Sequence, residues 1–309
     1  MRPGILLVAF SPLALLVTVP AAADSPGSPP KSRVVQRVMG GEIDWGSQAF
    51  YASGEAPMPG KDEEPNRSKA YLKARGSART KAVANLLLAI DSAAVDCAVS
   101  ARQLLESDDT LGQTVEAAAR GAGIASDRRR EEAGETVVEA TLRLPMYGPD
   151  GPGEAILRSL AQQERSGQFP VRIKVEIAKA AAKAEGSTNQ RGPFSSLIVD
   201  ARGLRIQKAM NPRIRRPDGS EVWGGIKDDV RLPDEPGPVS YASSTEAARR
   251  GPRAGKKPLI VRAVGRAGAA FLCDPVVTTA EADRVLLEDK AAHFLRDFRV
   301  ILVVDPLPS

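Results

Sequence analysis

Few side chains in this chain could carry chemistry, and their types and spacing narrow it further. His293 is the only histidine. A single imidazole excludes any metal motif built on a histidine pair, and a Ser-His-Asp or Cys-His site would have to use it. It falls in the last turn of a predicted helix, where the helix dipole favours a cation, and nothing near it resembles a nucleophile elbow. Asp200 and Asp305 each follow a predicted strand. Two carboxylates are the minimum for glycoside hydrolysis, but capping and pairing with Arg202 or Arg299 would explain both equally well. The two Trp and four Tyr of the chain also offer little sugar stacking. Gly265-Arg266-Ala267-Gly268 imitates a nucleotide loop poorly and reads as a strand-end turn. No residue is therefore assigned a catalytic, cofactor-binding or metal-binding role, and no cofactor is expected.

Charge offers a different chemistry. Arg249, Arg250, Arg253, Lys256 and Lys257 crowd one Pro- and Gly-rich stretch, and Arg128-Arg129-Arg130 precede Glu131-Glu132 on a polar strand. Either cluster could touch an anionic polymer or lipid head group. A solvated loop and a charged, aggregation-resistant edge strand are the plainer explanations. Neither cluster carries the interleaved aromatics of a nucleic-acid surface, so nucleic acid is not an expected partner.

The elements that must position these groups start with the leader. Met1-Arg2, the apolar run Ile5–Val19 and Ala21-Ala22-Ala23 before Asp24 have the form of a secretory signal peptide over residues 1–23. An exported chain meets envelope components rather than ATP or NAD. No second apolar run is long enough to span a bilayer, so no transmembrane segment is expected after cleavage. No cysteine follows the cleavage site to accept a lipid. The two cysteines, Cys97 and Cys273, could pair in an oxidising compartment or remain separate buried thiols. Hydrophobic residues make up 42% of the chain and aromatics 4%, so a core is feasible but must be built from Ala, Val, Leu and Ile.

Residues 24–40 read as a flexible leader and Gly41–Gly54 as a strand. A long helix is expected over Ser68–Val99, with Tyr71, Ala74, Ala78, Ala82, Leu86, Ile90, Ala93 and Cys97 on one stripe. A shorter helix should run from Thr110 to Gly121. Ser126–Glu132 and Thr136–Pro145 form a predicted hairpin about Ala133-Gly134, with Val138, Ala140, Leu142 and Leu144 on one face. Residues 148–170 look like a domain boundary enclosing a short helix. Beyond it come an alternating strand at Val171–Ile177, a short strand at Ser196–Ala201, a hairpin about Pro217-Asp218-Gly219, an exposed loop at 228–257, an apolar stretch at Leu259–Val264, a helix capped at Thr278 and a buried strand at Val300–Asp305. The expected class is α+β: an N-terminal domain over 41–165 and a C-terminal domain over 170–309, each a mostly antiparallel sheet packed by helices.

A resemblance joins these pieces. A strand carrying Trp45 and ending in Ala52-Ser53-Gly54-Glu55-Ala56 precedes an Ala-rich helix with Ala82-Val83-Ala84-Asn85-Leu86-Leu87. Thr136-Val137-Val138-Glu139-Ala140 then leads into Leu142-Arg143-Leu144-Pro145-Met146. This order resembles the outer-membrane-lipoprotein and flagellar-assembly-protein-T-like family of exported bacterial envelope proteins. Leu197-Ile198-Val199-Asp200-Ala201-Arg202-Gly203-Leu204 and Pro258-Leu259-Ile260-Val261-Arg262 look like the accompanying domain. The resemblance implies a non-catalytic protein of the periplasm or outer-membrane periphery, with envelope proteins as partners and a structural or assembly role. The alternatives are a module binding an anionic polymer or lipid head group and, third, a carboxylate-based hydrolase.

Overall fold

A computed structural model describes residues 34–167, 172–178, 192–224 and 237–305. The expected signal peptide over 1–23, the part of the expected leader up to residue 33, the Ala/Lys-rich stretch after Ala178 and the first part of the loop expected at 228–257 lie outside these residues.

The chain enters through β1 (Val35–Val38) and β2 (Gly41–Asp44), joined at Gly40, whose φ is +82°. Val35–Val38, expected within the leader, thus form a strand. The single strand expected over 41–54 is also two: the chain turns at Trp45–Gln48, where Gln48 takes a φ of 50°, before β3 (Ala49–Pro57). Asp44 drives that turn by accepting the Gly46 and Ser47 N–H groups at 3.0 and 3.1 Å.

Asn66 caps α1 (Arg67–Asp91) by accepting the Lys69 N–H. Ala70, Ala74, Ala78, Ala82, Leu86, Ala89 and Ile90 form its buried face. Methyl-sized side chains let the helix lie directly on β3. A β-carbon added to Gly54 would sit 2.2 Å from the Ala78 carbonyl oxygen and 2.4 Å from the Ala82 nitrogen.

The helix stops at Asp91, short of the expected Val99. Asp96 explains the shortfall, because its Oδ1 accepts the Ala98 and Val99 N–H groups, both at 2.8 Å. That local turn competes with helical hydrogen bonding. Cys97 thus sits in a turn rather than on a helical stripe. Next come α2 (Ala101–Ser107), opened by a Ser100–Gln103 capping box, and α3 (Asp109–Gly121), capped by Asp108. The hairpin of β4 (Gly123–Glu132) and β5 (Glu135–Pro145) turns at Ala133-Gly134, both at positive φ as a two-residue hairpin turn requires. The first sheet is antiparallel throughout, in the order β1-β2-β3-β5-β4.

The region read as a boundary holds α4 (Gly153–Ser166), ended by Gly167 at a φ of 68°. It packs on α2 and α3 through Ser159 to Asp108 (3.0 Å) and Gln163 to Ser107 (2.8 Å). The chain then forms β6 (Lys174–Ile177), β7 (Ser196–Asp200), β8 (Ile214–Arg215) and β9 (Glu221–Trp223). Next are β10 (Ser240–Ala242), α5 (Thr245–Arg250), β11 (Pro258–Arg262), β12 (Gly265–Gly268) and β13 (Asp274–Val276). The chain finishes with α6 (Thr279–Ala292), capped by Thr278, and β14 (Val300–Val303). The stretch expected to be an exposed loop up to residue 257 therefore holds a strand and a helix, and the supposed strand-end turn at 265–268 is itself a strand.

The α+β class holds, but the C-terminal half departs from the expected antiparallel pairing. Strands β10, β14, β7 and β11 form, in that order, a wholly parallel sheet. It is covered on both faces, which is why β7 and β14 read as unbroken apolar runs. A second, mixed sheet has the order β6-β12-β13-β8-β9.

The two halves share a core, and all described residues fall in one compact unit. One apolar cluster runs from Ile43, Phe50, Leu86 and Leu142 to Leu197, Val261, Phe294 and Leu302. The Trp45 and Tyr241 rings meet edge to face at 5.6 Å. Main-chain bonds cross the same junction, from Met210 N–H to Ala94 O (3.0 Å) and from Asn211 N–H to Val95 O (2.7 Å).

Candidate functional site

The two candidate carboxylates stand at the carboxyl ends of adjacent parallel strands, where α/β sheets usually place ligands. Each is already engaged. Asp200 accepts from Arg202 at 2.9 and 2.7 Å. Burial pushes its pKa up, but the Arg202 hydrogen bonds and charge outweigh burial and hold it below the usual carboxylate value. Both Asp305 oxygens accept the Gly203 N–H at 2.9 Å. Lys208, which the sequence pattern did not single out, is buried nearby; desolvation lowers its pKa and the Asp305 charge partly restores it. His293 is the C-cap of α6 rather than part of its last turn, with a φ of 54° and its own N–H on Asp289 O. Among the described residues, no group of three or more His, Cys, Asp or Glu side chains could hold a metal ion.

The basic stretch divides in two. Arg253 is buried and donates to the carbonyls of Pro238 (2.8 Å), Phe298 (2.6 Å) and Gly237 (2.6 Å). Burial lowers its pKa to about 10, with the Arg299 charge acting the same way. It is a rivet under the surface, tied to three main-chain carbonyls, which sets it apart from the exposed cations of the sequence-derived cluster. Arg249 and Arg250 end α5 in the exposed position a helix C-terminus favours, and Lys256 and Lys257 enter β11. Tertiary structure adds Arg299, whose Nη1 reaches Ser195 O at 3.3 Å and lies against Gly255. Five cations thus gather at the amino-terminal end of the parallel sheet.

The arginine run on β4 is largely committed within the fold. Arg129 stacks on Tyr71 with its guanidinium carbon 3.7 Å from the ring centroid, and Arg130 pairs with both oxygens of Glu55 at 2.9 and 2.7 Å. Asp127 accepts from Arg75 at 2.7 Å. These contacts clamp the strand to α1 and to β3. Among the described residues no strand pairs with its other side: β4 is the edge of its sheet, and nine of its ten residues are exposed.

Cys97 and Cys273 are free, buried and members of one small cluster with Ala94 and Ala209. Both border a buried ion pair. Arg215 Nε donates to Asp274 Oδ2 at 2.6 Å, Arg215 Nη2 lies 4.0 Å from Cys97 Sγ, and Cys273 Sγ lies 3.3 Å from Asp274 Oδ1. Burial first, then the Asp274 charge, pushes the Cys97 pKa up to about 12 and raises that of Cys273 well above the ordinary thiol value. Neither is poised as a nucleophile in the folded chain.

No helix among the described residues is long and apolar enough to cross a membrane. No curated protein matches the chain. Residues 196–306, from β7 through β14, match a bacterial domain family described as Treponema pallidum Tp0624, second domain, so the C-terminal half is similar to that domain.

Proposed function

We propose that the chain is an exported, non-catalytic protein of the bacterial cell envelope that acts as a structural or assembly factor at the outer membrane or a surface appendage. The observation that carries this reading is the outer edge of β4. A ten-residue edge strand clamped from behind presents a rigid row of main-chain donors and acceptors to another chain. The similarity of residues 196–306 to a bacterial domain family supports the bacterial setting. Arg128 has no side-chain hydrogen bond or ion pair among the described residues and marks this edge. A photoreactive residue at position 128 is expected to capture outer-membrane or appendage components in intact cells, identified by mass spectrometry. Capture of the chain alone would overturn the reading.

The basic end of the parallel sheet favours a second reading, a module for an anionic lipid head group or polymer. Each cation near an anionic surface contributes about 1 kcal/mol. Replacing Arg249, Arg250, Lys256 and Lys257 by Ser should weaken binding to anionic phospholipid vesicles by at least roughly tenfold, and binding by the unaltered chain should fall steeply with salt. Equal binding to zwitterionic vesicles, or no effect of the four substitutions, would sink it.

A further inference from the structure

We infer that Cys97 and Cys273 are the two halves of a disulfide that staples the N-terminal half of the chain to the C-terminal half. The inference rests on the proposed export of the chain, because an oxidising compartment is what allows such a bond to persist.

Three observations converge on the pair. These are the only two cysteines in the chain, so only one intramolecular connectivity exists. Although far apart in sequence, both enter one small buried cluster with Ala94 and Ala209, against which Ile173 and Phe271 pack. The backbone around them is also pinned together. The Cys97 carbonyl accepts the Ala269 N–H at 3.0 Å and the Phe271 N–H at 2.9 Å, two residues before Cys273. Leu272, between Phe271 and Cys273, is held in turn by Gln207 through its N–H (2.8 Å) and its carbonyl (3.1 Å). A disulfide needs two α-carbons held about 4.4–6.8 Å apart with their side chains facing a common space, and shared burial in one cluster on a pinned backbone is the arrangement that points to it. In the reduced fold the Cys273 thiol donates to Asp274 Oδ1 at 3.3 Å, a single contact that the disulfide gives up.

Burial and raised thiol pKa values slow attack in the finished fold, so the bond forms while the halves are still closing. The oxidant is a disulfide-bearing one. One protein thiolate attacks its S–S bond to give a mixed disulfide and releases one oxidant thiolate. The second protein thiolate then attacks the mixed disulfide and releases the other. The two cysteines lose two electrons and two protons, and the oxidant leaves as a dithiol or two thiols.

The test refolds the full chain from denaturant with oxidised glutathione as the probe. The expected product contains no titratable thiol after denaturation without reductant, is lighter than the reduced chain by two hydrogen atoms, and yields one peptide pair linking Cys97 to Cys273. The Cys97→Ala/Cys273→Ala chain, refolded alongside, controls for folding itself. A refolded chain that keeps both thiols, or carries glutathione on each, overturns the inference. A second arm alkylates the chain taken directly from cells. Blocked cysteines are expected. Free thiols there, with a disulfide formed on refolding, would overturn the exported state rather than the pairing geometry.

Discussion

Replacing Asp274 by Ala is expected to lower the unfolding free energy by about 3–5 kcal/mol, because removing one partner of a buried ion pair strands the other charge. Asp274 is fully buried and Arg215 nearly so. The Asp274 carboxylate accepts from Arg215 Nε and also from the Arg213 N–H at 2.9 Å, so its loss orphans two nitrogen donors. Arg215 has a second fixed bond, to the Gly219 carbonyl at 3.1 Å, which keeps the guanidinium from swinging out to solvent. The measurement is urea denaturation, with the loss read from the midpoint at an unchanged slope. An Arg215→Met/Asp274→Leu chain should recover most of the loss, since apolar replacement of a whole buried pair is often neutral. A single Asp274→Ala change that shifts stability by less than about 1 kcal/mol would show that the pair is solvated and that the junction is looser than described.

Gly54→Ala is the second large effect, expected to cost at least about 2 kcal/mol for a single added methyl group. The obstruction is main chain, the Ala78 carbonyl and Ala82 nitrogen of α1, and main chain cannot rotate away as a side chain can. The helix would have to lift from the sheet along its alanine face, opening the contacts of Ala74, Ala78 and Ala82 together. Gly76→Ala is the control. Its added methyl would meet nothing within 4 Å, on the exposed side of the same helix. It should therefore stabilise the chain by up to about 1 kcal/mol through helix propensity alone. Thermal unfolding of the two variants should move in opposite directions. A neutral Gly54→Ala would mean that α1 does not rest on β3 at this distance.

The legible parts of the fold are those whose cause lies within a few residues. The alternation of Val138, Ala140, Leu142 and Leu144 placed β5, and Ala133-Gly134 placed its turn. Thr278 marked the start of α6. The alanine stripe foretold a helix lying close to a sheet. Failures arose where a side chain redirected the backbone in a way that periodicity ignores. The apolar spacing runs on through Ala93 and Cys97, yet the helix ends at Asp91, and Asp96 captures two N–H groups for a turn of its own. Asp44 splits one expected strand into two by the same device. The strand β10 and helix α5 were hidden because Pro, Gly and charged residues surround them. Both are short and owe their order to packing against β14.

By itself the sequence determined the α+β class, most long elements and the residue types that any site would have to use, because helix and strand periods and caps are local properties. Only the tertiary structure decided which side chains meet. Parallel pairing of β7, β10, β11 and β14 depends on burying both sheet faces. The same closure buried Arg253 under its own loop while adding Arg299 to the exposed cations. It also committed Arg129 and Arg130 to the fold and brought Cys97 to the cluster of Cys273. Such contacts join residues far apart in the chain, and their free energy comes from excluding water across the whole junction, which no window of neighbouring residues records.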